Sequence, residues 1–415
     1  MLIRGLASRP MDTLRSVQRW LPSVASADGP RIGYVHEWLT DWGGSEDVVR
    51  SMLAARRGEA LFATIDFLSD ADRVKFGGTP IRTTFLQKLP GMRNGFWNYL
   101  PLTPLAVETH HLRGADIIVS SSHAFAKGVL TTAEQLHVSY VHSPMRYAWD
   151  QHHEYLADYR LDRGVKGFLA RYMFHRLRQW DRQTANNVDL FLANSHHVQR
   201  RIWRAYRRPS LVLHPPVAVN AFKFEPCKSD HYVSVSRLVS YKRIDLLLDA
   251  FRQMPQRRLV VIGDGPEAPR LRAMCPPNVQ LLGRQPHEVV QQHLGSARAF
   301  LFAAQEDFGI SPVEAQACGT PVIAYGVGGS RETVRDMRSA ERPTGLLFEQ
   351  QSADSLRAAI EAFDRACIDP YACREWAETF DEQLFQSRYV QLLDRAWNAW
   401  RQDPISVEAA VLAAH

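Results

Sequence analysis

Ala299-Phe-Leu-Phe302 runs through three further residues into Glu306-Asp-Phe-Gly-Ile-Ser-Pro-Val-Glu314-Ala-Gln-Ala-Cys-Gly-Thr-Pro-Val-Ile-Ala324. The apolar run ending at Phe302 reads as a buried strand. Ser311 is suited to a helix N-cap and Pro312 to a first helical residue. Pro321–Tyr325 reads as the next strand. Strand, helix, strand is the repeating unit of a parallel sheet.

The same alternation extends in both directions. Toward the C-terminus Gly345–Phe348 follows, and upstream lie Tyr232–Ser236, Leu259–Gly263 and Val279–Leu282. An earlier series comprises Arg31–His36, Ala60–Phe67, Ile117–Ser120, Val138–His142, Leu190–Asn194 and Leu211–His214. Helical periodicity fills most intervals, as in Ile244–Gln253 and Asp354–Ala366. Pro215, Pro216 and Pro226 mark a linker between the two series, within His214–Asp230. The expected fold class is α/β, two doubly wound parallel-sheet (Rossmann-like) domains facing across a cleft. The expected divisions are a lead-in over 1–29, a first domain over 30–218, a second over 219–380, and a final segment over 381–415. The aromatic helix from Trp376 to Arg401 would cross back to the first domain. Ligands of such sheets bind at the carboxyl ends of strands, so the site is expected between the domains.

The chain has 415 residues, of which 45% are hydrophobic and 23% charged. This excludes a wholly disordered protein. The formal charge of +6 suits anionic ligands and is too weak to argue for nucleic acid. Five cysteines without a C-x-x-C pair argue against a disulfide framework or a zinc site, and for a reducing compartment. Apolar runs are too short to span a bilayer. Arg4, Arg9, Arg15 and Arg19 interrupt the N-terminal apolar residues, so residues 1–29 read as a frayed lead-in rather than a secretion signal.

Four groups of residues carry chemistry. Glu306 and Glu314 flank a helix start whose free amides favour an anion, and carboxylates accept hydrogen bonds from sugar hydroxyls. Glu314 has a structural alternative, because Ser311-x-x-Glu314 is a capping box. Arg237 and Lys242 follow a strand and together suit a diphosphate. Gly43-Gly44, after the first strand, permits close approach to a phosphate or sugar, or is an ordinary turn. His142 and Arg146 lie at the end of another strand, as do Ser122 and Lys127. A lone histidine is more often a satisfied polar residue, and the serines are equally suited to capping helices. The Gly263–Glu267 tract, with Gly265, would accept a nucleobase, and Gly326–Glu332 would line the sugar pocket; loop turns are the alternative for both. No G-x-G-x-x-G follows the first strand and there is no P-loop, which disfavours NAD-type and P-loop folds. Asp70-Ala-Asp72 reads as a surface turn rather than a metal site.

Twelve Lys and Arg residues stand between Arg160 and Arg208, against Asp162, Asp181 and Asp189. Phe168, Leu169, Tyr172, Met173, Phe174 and Trp180 interleave with them. This pattern suits reversible attachment to an anionic membrane, or is a solvated helix face.

Taken together the motifs resemble family 4 glycosyltransferases of GT-B fold, over roughly residues 30–400. The segment His142-Ser-Pro-Met-Arg-Tyr-Ala-Trp-Asp150 is similar to a bacterial subset that builds surface polysaccharides, such as O-antigen or exopolysaccharide, often from mannose-type donors. The resemblance implies roles. Glu306 would hold hydroxyls of the transferred sugar and Glu314 the donor ribose. Arg237 and Lys242 would neutralise the leaving diphosphate, and Gly43-Gly44 would close on the phosphates. His142 would orient a sugar hydroxyl. Amides near Phe308, Gly309, Ile310 and Ser311 would touch sugar and phosphate, and Ser122, Lys127 and Arg146 would face the acceptor. The implied reaction is hexose transfer with retention of configuration and without a metal. The donor would be a nucleotide sugar, foremost GDP-mannose. The acceptor would be a polyprenyl-diphosphate-linked saccharide at the inner face of the cell membrane. Ser45 and Asp47 depart from the family's frequent alanine and basic residue. The alternatives are a UDP-sugar donor, a GT-B epimerase and a non-catalytic protein that binds a sugar nucleotide as the partner of another chain.

Overall fold

The computed structural model describes residues 29–414 except 159 and 162. The lead-in reading therefore lies outside the described residues, as does Asp162. Thirteen strands form two parallel sheets among these residues. The first comprises β1 (Ile32–Val35), β2 (Ala60–Ala63), β3 (Ile81–Thr83), β4 (Ile117–Ser122), β5 (Leu136–Val141), β6 (Leu190–Ala193) and β7 (Leu211–Val212), in the order β3-β2-β1-β4-β5-β6-β7. The second comprises β8 (His231–Val235), β9 (Arg258–Ile262), β10 (Val279–Gly283), β11 (Ala299–Phe302), β12 (Val322–Tyr325) and β13 (Gly345–Phe348), in the order β10-β9-β8-β11-β12-β13. Two doubly wound α/β domains facing across a cleft, the GT-B architecture, are thus present.

Composition explains which strands were legible. β1, β2, β6 and β11 are short apolar runs buried along their whole length, as strands covered by helices on both faces must be. β3 was not anticipated. It is an edge strand, Ile-Arg-Thr, with two of its three residues exposed, so no apolar run announces it. Within the second sheet, alternate residues serve opposite faces. Tyr232, Leu259, Leu301 and Ile323 pack with residues of the helices Ile244–Arg252 and Ala353–Asp364, while Val233, Val260, Phe300 and Val322 join those of Ile310–Ala317.

The C-terminal aromatic segment divides into two helices. Pro370–Glu378 packs against Ile310–Ala317 in the second domain. Glu382–Gln402 crosses to the first domain. Its Phe385, Tyr389, Leu392, Leu393, Ala396, Trp397 and Trp400 form one helical stripe in the core with Tyr34, Val119 and Tyr140. Polar contacts fix the register. The Tyr34 and Tyr389 hydroxyls are 3.1 Å apart, Arg56 donates to Asp394 at 2.6 Å, and Arg50 pairs with Glu382. This helix ties the two domains together by burying apolar surface on the first. Leu393→Ala is expected to lower stability by about 2–5 kcal/mol through loss of burial and creation of a cavity. Urea unfolding of the whole chain, followed by tryptophan fluorescence, measures this directly.

Candidate active site between the two sheets

Each sheet reverses its strand order once, between β1 and β4 and between β8 and β11. Loops leave those strands in opposite directions there, which opens a crevice at the strand ends. The two crevices face each other around a cavity of about 580 Å³. The first domain contributes Trp38, Gly44, Ser45, Trp97, His123, His142, Arg146 and Asn194. The second contributes Arg237, Tyr241, Lys242 and the run Glu306–Ser311. Strand-end placement thus unites His142, Arg146, Arg237, Lys242, Gly44 and Glu306, which are far apart in sequence.

Lys242 lies on a 3-10 turn, Ser240–Lys242, and pairs directly with Glu306. Its ammonium also lies 5.5 Å from the centre of the Phe302 ring. Arg237 is exposed on the loop after β8. Two glycine tracts support these loops from behind rather than lining the cavity. A Cβ on Gly265 would stand 2.3 Å from the Leu238 carbonyl oxygen, so only glycine lets that backbone lie against the loop carrying Arg237. A Cβ on Gly329 would lie 2.3 Å from the Phe308 Cα, and the Gly329 amide donates to the Glu306 carbonyl at 2.8 Å. Neither Gly263–Glu267, expected to meet a nucleobase, nor Gly326–Glu332, expected to line the sugar pocket, borders this cavity; Gly326, Arg331 and Glu332 border a second hollow.

The helix beside Glu306 starts earlier than its sequence suggests. It runs Ile310–Ala317, with Gly309 as the N-cap at φ +89°. Ser311 is therefore inside the helix, its side chain makes no cap bond, and the capping box with Glu314 does not form. The glycine wins because its left-handed conformation turns the chain out of the Glu306 loop directly into the helix. Phe308, Gly309, Ile310 and Ser311 all border the cavity. Gly44 packs closely on this helix start, where an added Cβ would come within 2.7 Å of Ile310 Cδ1. Gly43 is the N-cap of the helix Gly44–Ala55. Burial, and then the Asp47 carboxylate, push the Glu314 carboxyl up to about 7.

Asp307 is the electrostatic joint of the cleft. It belongs to the second domain, and Arg146 and Arg201 of the first domain both donate to it. Arg201 also donates to Ser143 at 2.9 Å and to Asp150 at 2.6 Å. Burial works to raise Asp307, but the two guanidinium groups outweigh it and hold the carboxyl at about 2. A second joint is Glu332, which accepts from the first two amides of the helix His196–Tyr206, at 2.8 and 2.9 Å, and lies 3.1 Å from His214 Nε2. A carboxylate from one domain thus sits at a helix N-terminus of the other, where the dipole favours it. Burial drives the His142 pKa well below the ordinary range, so its ring is neutral.

Gly43 and Glu314, like Gly265, do not border the cavity, and neither do the expected acceptor-side residues Lys127 and Ser122. Lys127 is fully buried, paired with Asp181 and bonded to Thr184, so it serves the interior and not an acceptor. Ser122 donates to Glu37 at 3.0 Å. Glu37 also accepts the amides of His123, Ala124, Phe125 and Ala126, which makes it the internal brace of that loop. Ser195 is a helix cap, accepting from the Val198 amide at 3.0 Å. Asp70 and Asp72 lie on a short surface helix, paired with Arg73 and Lys75. Sequence reasoning passed over Asp307, Arg201, His123 and Trp97. Asp307 stood beside Glu306 in the quoted motif, but its partners lie 161 and 106 residues away and carry no local signal.

A larger hollow of about 910 Å³ lies between His196, His214 and the segment Arg331–Leu347. There Arg338 pairs with Asp336 and Glu349, Arg331 donates to the Gly326 carbonyl, and Arg335 lies over the Trp376 ring. The smaller cavity, with strand-end cations and a helix start, is the chemically equipped one.

Comparison with known proteins agrees with this architecture. Residues 221–375 match the family model described as Glycosyl transferases group 1. The chain is 29% identical over 252 residues to the GDP-mannose-dependent monoacylated alpha-(1-6)-phosphatidylinositol monomannoside mannosyltransferase of Corynebacterium glutamicum, a span of 50% of this chain and 64% of that one. It is 27% identical over 248 residues to the GDP-mannose-dependent alpha-(1-6)-phosphatidylinositol monomannoside mannosyltransferase of Mycolicibacterium smegmatis, a span of 51% of this chain and 63% of that one. The chain thus spans under two thirds of the length of these relatives. Among solved structures, it is similar to Anabaena Alr3699/HepE in complex with UDP-glucose (TM-score 0.63, 19% identity, 88% of this chain and 99% of that one). It is also similar to the sucrose-phosphate synthase of Thermosynechococcus elongatus (TM-score 0.66, 18% identity, 89% and 100%). The fold is that of GT-B glycosyltransferases, and the second domain carries the group 1 segment.

The depressed Asp307 sets an acid limit. Its folded pKa lies below the ordinary 3.8, so its contribution is complete above about pH 4 and is lost as pH falls toward 2. The shift corresponds to about 2 kcal/mol. Asp307→Asn is expected to lower stability by about that amount at neutral pH and to flatten the acid limb between pH 4 and 2, as read by urea midpoints across the pH range.

Proposed function

We propose that this protein is a retaining glycosyltransferase that moves a hexose from a nucleotide sugar, foremost mannose from GDP-mannose, to a polyprenyl-diphosphate-linked saccharide. The reading places it in bacterial surface polysaccharide synthesis, at the inner face of the cell membrane. The observation that carries it is the paired Lys242 and Glu306 beside Arg237 and the exposed start of the helix Ile310–Ala317, all bordering one cavity opposite His142. The mannosyltransferase names of the Corynebacterium and Mycolicibacterium relatives support the donor.

The roles follow from charge and reach. Lys242, Arg237 and the helix amides offset the two phosphates of the donor. Glu306, Glu314 and His142 engage hydroxyls, Glu306 on the hexose and Glu314 on the ribose. The acceptor oxygen attacks the anomeric carbon on the face from which the diphosphate departs. The bond from that carbon to the phosphate oxygen breaks, and the acceptor's proton passes to the departing diphosphate. Negative charge grows on the diphosphate in the transition state, and fixed cations and amides stabilise it there more than in the ground state. This charge complement works without a divalent cation. Lys242→Ala is expected to lower kcat by about 100-fold or more, as loss of one oxyanion-type stabiliser does, and Glu306→Ala to lower kcat/KM through the lost hold on the hexose hydroxyls. A radiolabelled-sugar assay across nucleotide sugars measures it. No transfer from any donor by folded protein overturns the reading. The UDP-glucose named for the Anabaena structure makes a UDP-sugar the second reading. Thermal-shift titration with GDP, UDP and ADP separates the two, since the cognate nucleotide stabilises the folded state most.

The membrane component rests on a surface. The helix Gly164–Thr184 exposes Val165, Phe168, Leu169 and Tyr172, flanked by exposed Lys166, Arg171 and Arg176. Pro101 and Pro104 share an apolar groove with Leu169, Tyr172 and Met173, and their chain neighbours Leu102 and Leu105 are exposed. Trp97, on the same segment, borders the catalytic cavity. Arg178, Arg201 and Arg208 turn inward to Ala148, Asp307 and Glu408, so only part of the basic tract faces solvent. Apolar side chains between cations suit the headgroup region of anionic lipid and would bring a lipid-borne acceptor to the cleft mouth. The double variant Phe168→Glu, Leu169→Glu is expected to cut binding to vesicles containing anionic lipid at least tenfold, in a sedimentation assay, while nucleotide binding stays unchanged.

A further inference from the structure

His142 ends a buried chain of hydrogen bonds that begins beside the glycine turn of the first domain. Its Nε2 lies 2.8 Å from Ser121 Oγ. Ser121 Oγ lies 3.1 Å from His36 Nδ1, and His36 Nε2 lies 3.2 Å from Glu46 Oε1. His36, Ser121 and Glu46 are all buried, whereas His142 borders the cavity. Glu46 stands in the first turn of the helix Gly44–Ala55, two residues after the glycine that packs on Ile310 across the cleft. Its Oε2 accepts from Ser45 at 2.9 Å. The chain therefore joins the closing loop of the cleft to the ring that faces it.

Hydrogen-bond bookkeeping fixes the direction of every link once His36 carries a single ring proton. An ionised carboxylate only accepts, so His36 Nε2 carries a hydrogen. Burial works to raise Glu46, but the bonds from His36 and Ser45 outweigh it and keep it ionised. With a single ring proton on His36, Nδ1 is a bare lone pair. The Ser121 hydroxyl has one hydrogen and gives it to that nitrogen. Only lone pairs then remain on Ser121 for His142, so His142 Nε2 must be the protonated nitrogen. His142 Nδ1 is left as an acceptor.

We propose that Glu46, His36 and Ser121 are positioning residues that lock His142 in its Nε2–H tautomer, so that Nδ1 presents a hydrogen-bond acceptor to a sugar hydroxyl in the cleft. The proposal deepens the transferase reading and rests on it for the identity of that ligand group. It also divides the cavity chemically. Arg237 and Lys242 offer donors and positive charge to phosphate oxygens. The His142 end offers an acceptor, which takes a hydroxyl hydrogen and rejects a phosphate or carboxylate oxygen.

The test reads the tautomers without needing turnover. Full-length protein labelled with ¹⁵N-histidine is studied at about pH 8, above the ordinary histidine range, by long-range ¹H–¹⁵N correlation. His36→Gln and His142→Gln spectra assign the two rings. Both rings are expected as Nε2–H in the native protein. In Ser121→Ala, His142 shifts to an average of its two tautomers while His36 stays Nε2–H, because Glu46 still accepts. In Glu46→Gln, both rings lose their fixed tautomer. Thermal melting shows that each variant is folded, and if Ser121→Ala is not, the native and Glu46→Gln spectra decide. An Nδ1–H His142, a doubly protonated His36, or an unchanged His142 in Ser121→Ala overturns the proposal. Correct tautomers in a protein that transfers no sugar would overturn the transferase reading and leave the lock standing.

Discussion

The carboxylate of Asp307 is shared between Arg146 and Arg201, and through it the two sheets hold their relative position at the cleft. Two guanidinium groups converging on one buried carboxylate offset the cost of desolvating all three. Because Asp307 is the neighbour of Glu306, the ion pairs that join the domains also fix the backbone from which Glu306 reaches Lys242. The Gly329 amide holds the same backbone from the opposite side. Domain placement and site geometry are consequently one constraint.

A second constraint is that the cleft concentrates opposite chemistries within one small volume. Cations and free amides collect at the second sheet's switch point. Histidines, a serine, an asparagine and the Asp307-paired Arg146 collect at the first. The C-terminal helix Glu382–Gln402 keeps the two halves in one body by placing its aromatic stripe in the first domain's core.

Much of the framework was legible along the chain. Strands such as Ala299–Phe302 and Gly345–Phe348 are apolar runs with no competing interpretation, and both were located to the residue. β3 was missed because an exposed edge strand needs no apolar run. The motif residues Arg237, Lys242 and Glu306 could be singled out because charge at strand ends is costly without a ligand or partner. Lys127 satisfied the same rule and misled, because its partner Asp181 sits 54 residues on and inside the protein. Local pattern cannot distinguish a charge aimed at a cleft from one aimed at a buried counter-ion.

The sequence by itself determined the alternation of strands and helices, the two-domain division and the clustering of cationic and acidic residues after particular strands. These are consequences of hydrophobic period and of backbone preferences acting over a few residues. Only the tertiary structure decided that Gly309 and not Ser311 starts the helix, that Gly265 and Gly329 lie against the loops carrying Arg237 and Glu306, and that the Asp307 ion pairs and the Glu46–His36–Ser121–His142 chain exist. The ion pairs and the hydrogen-bond chain depend on atoms brought within about 3 Å by the packing of distant segments, and such contacts are too short-ranged to leave a trace in local sequence.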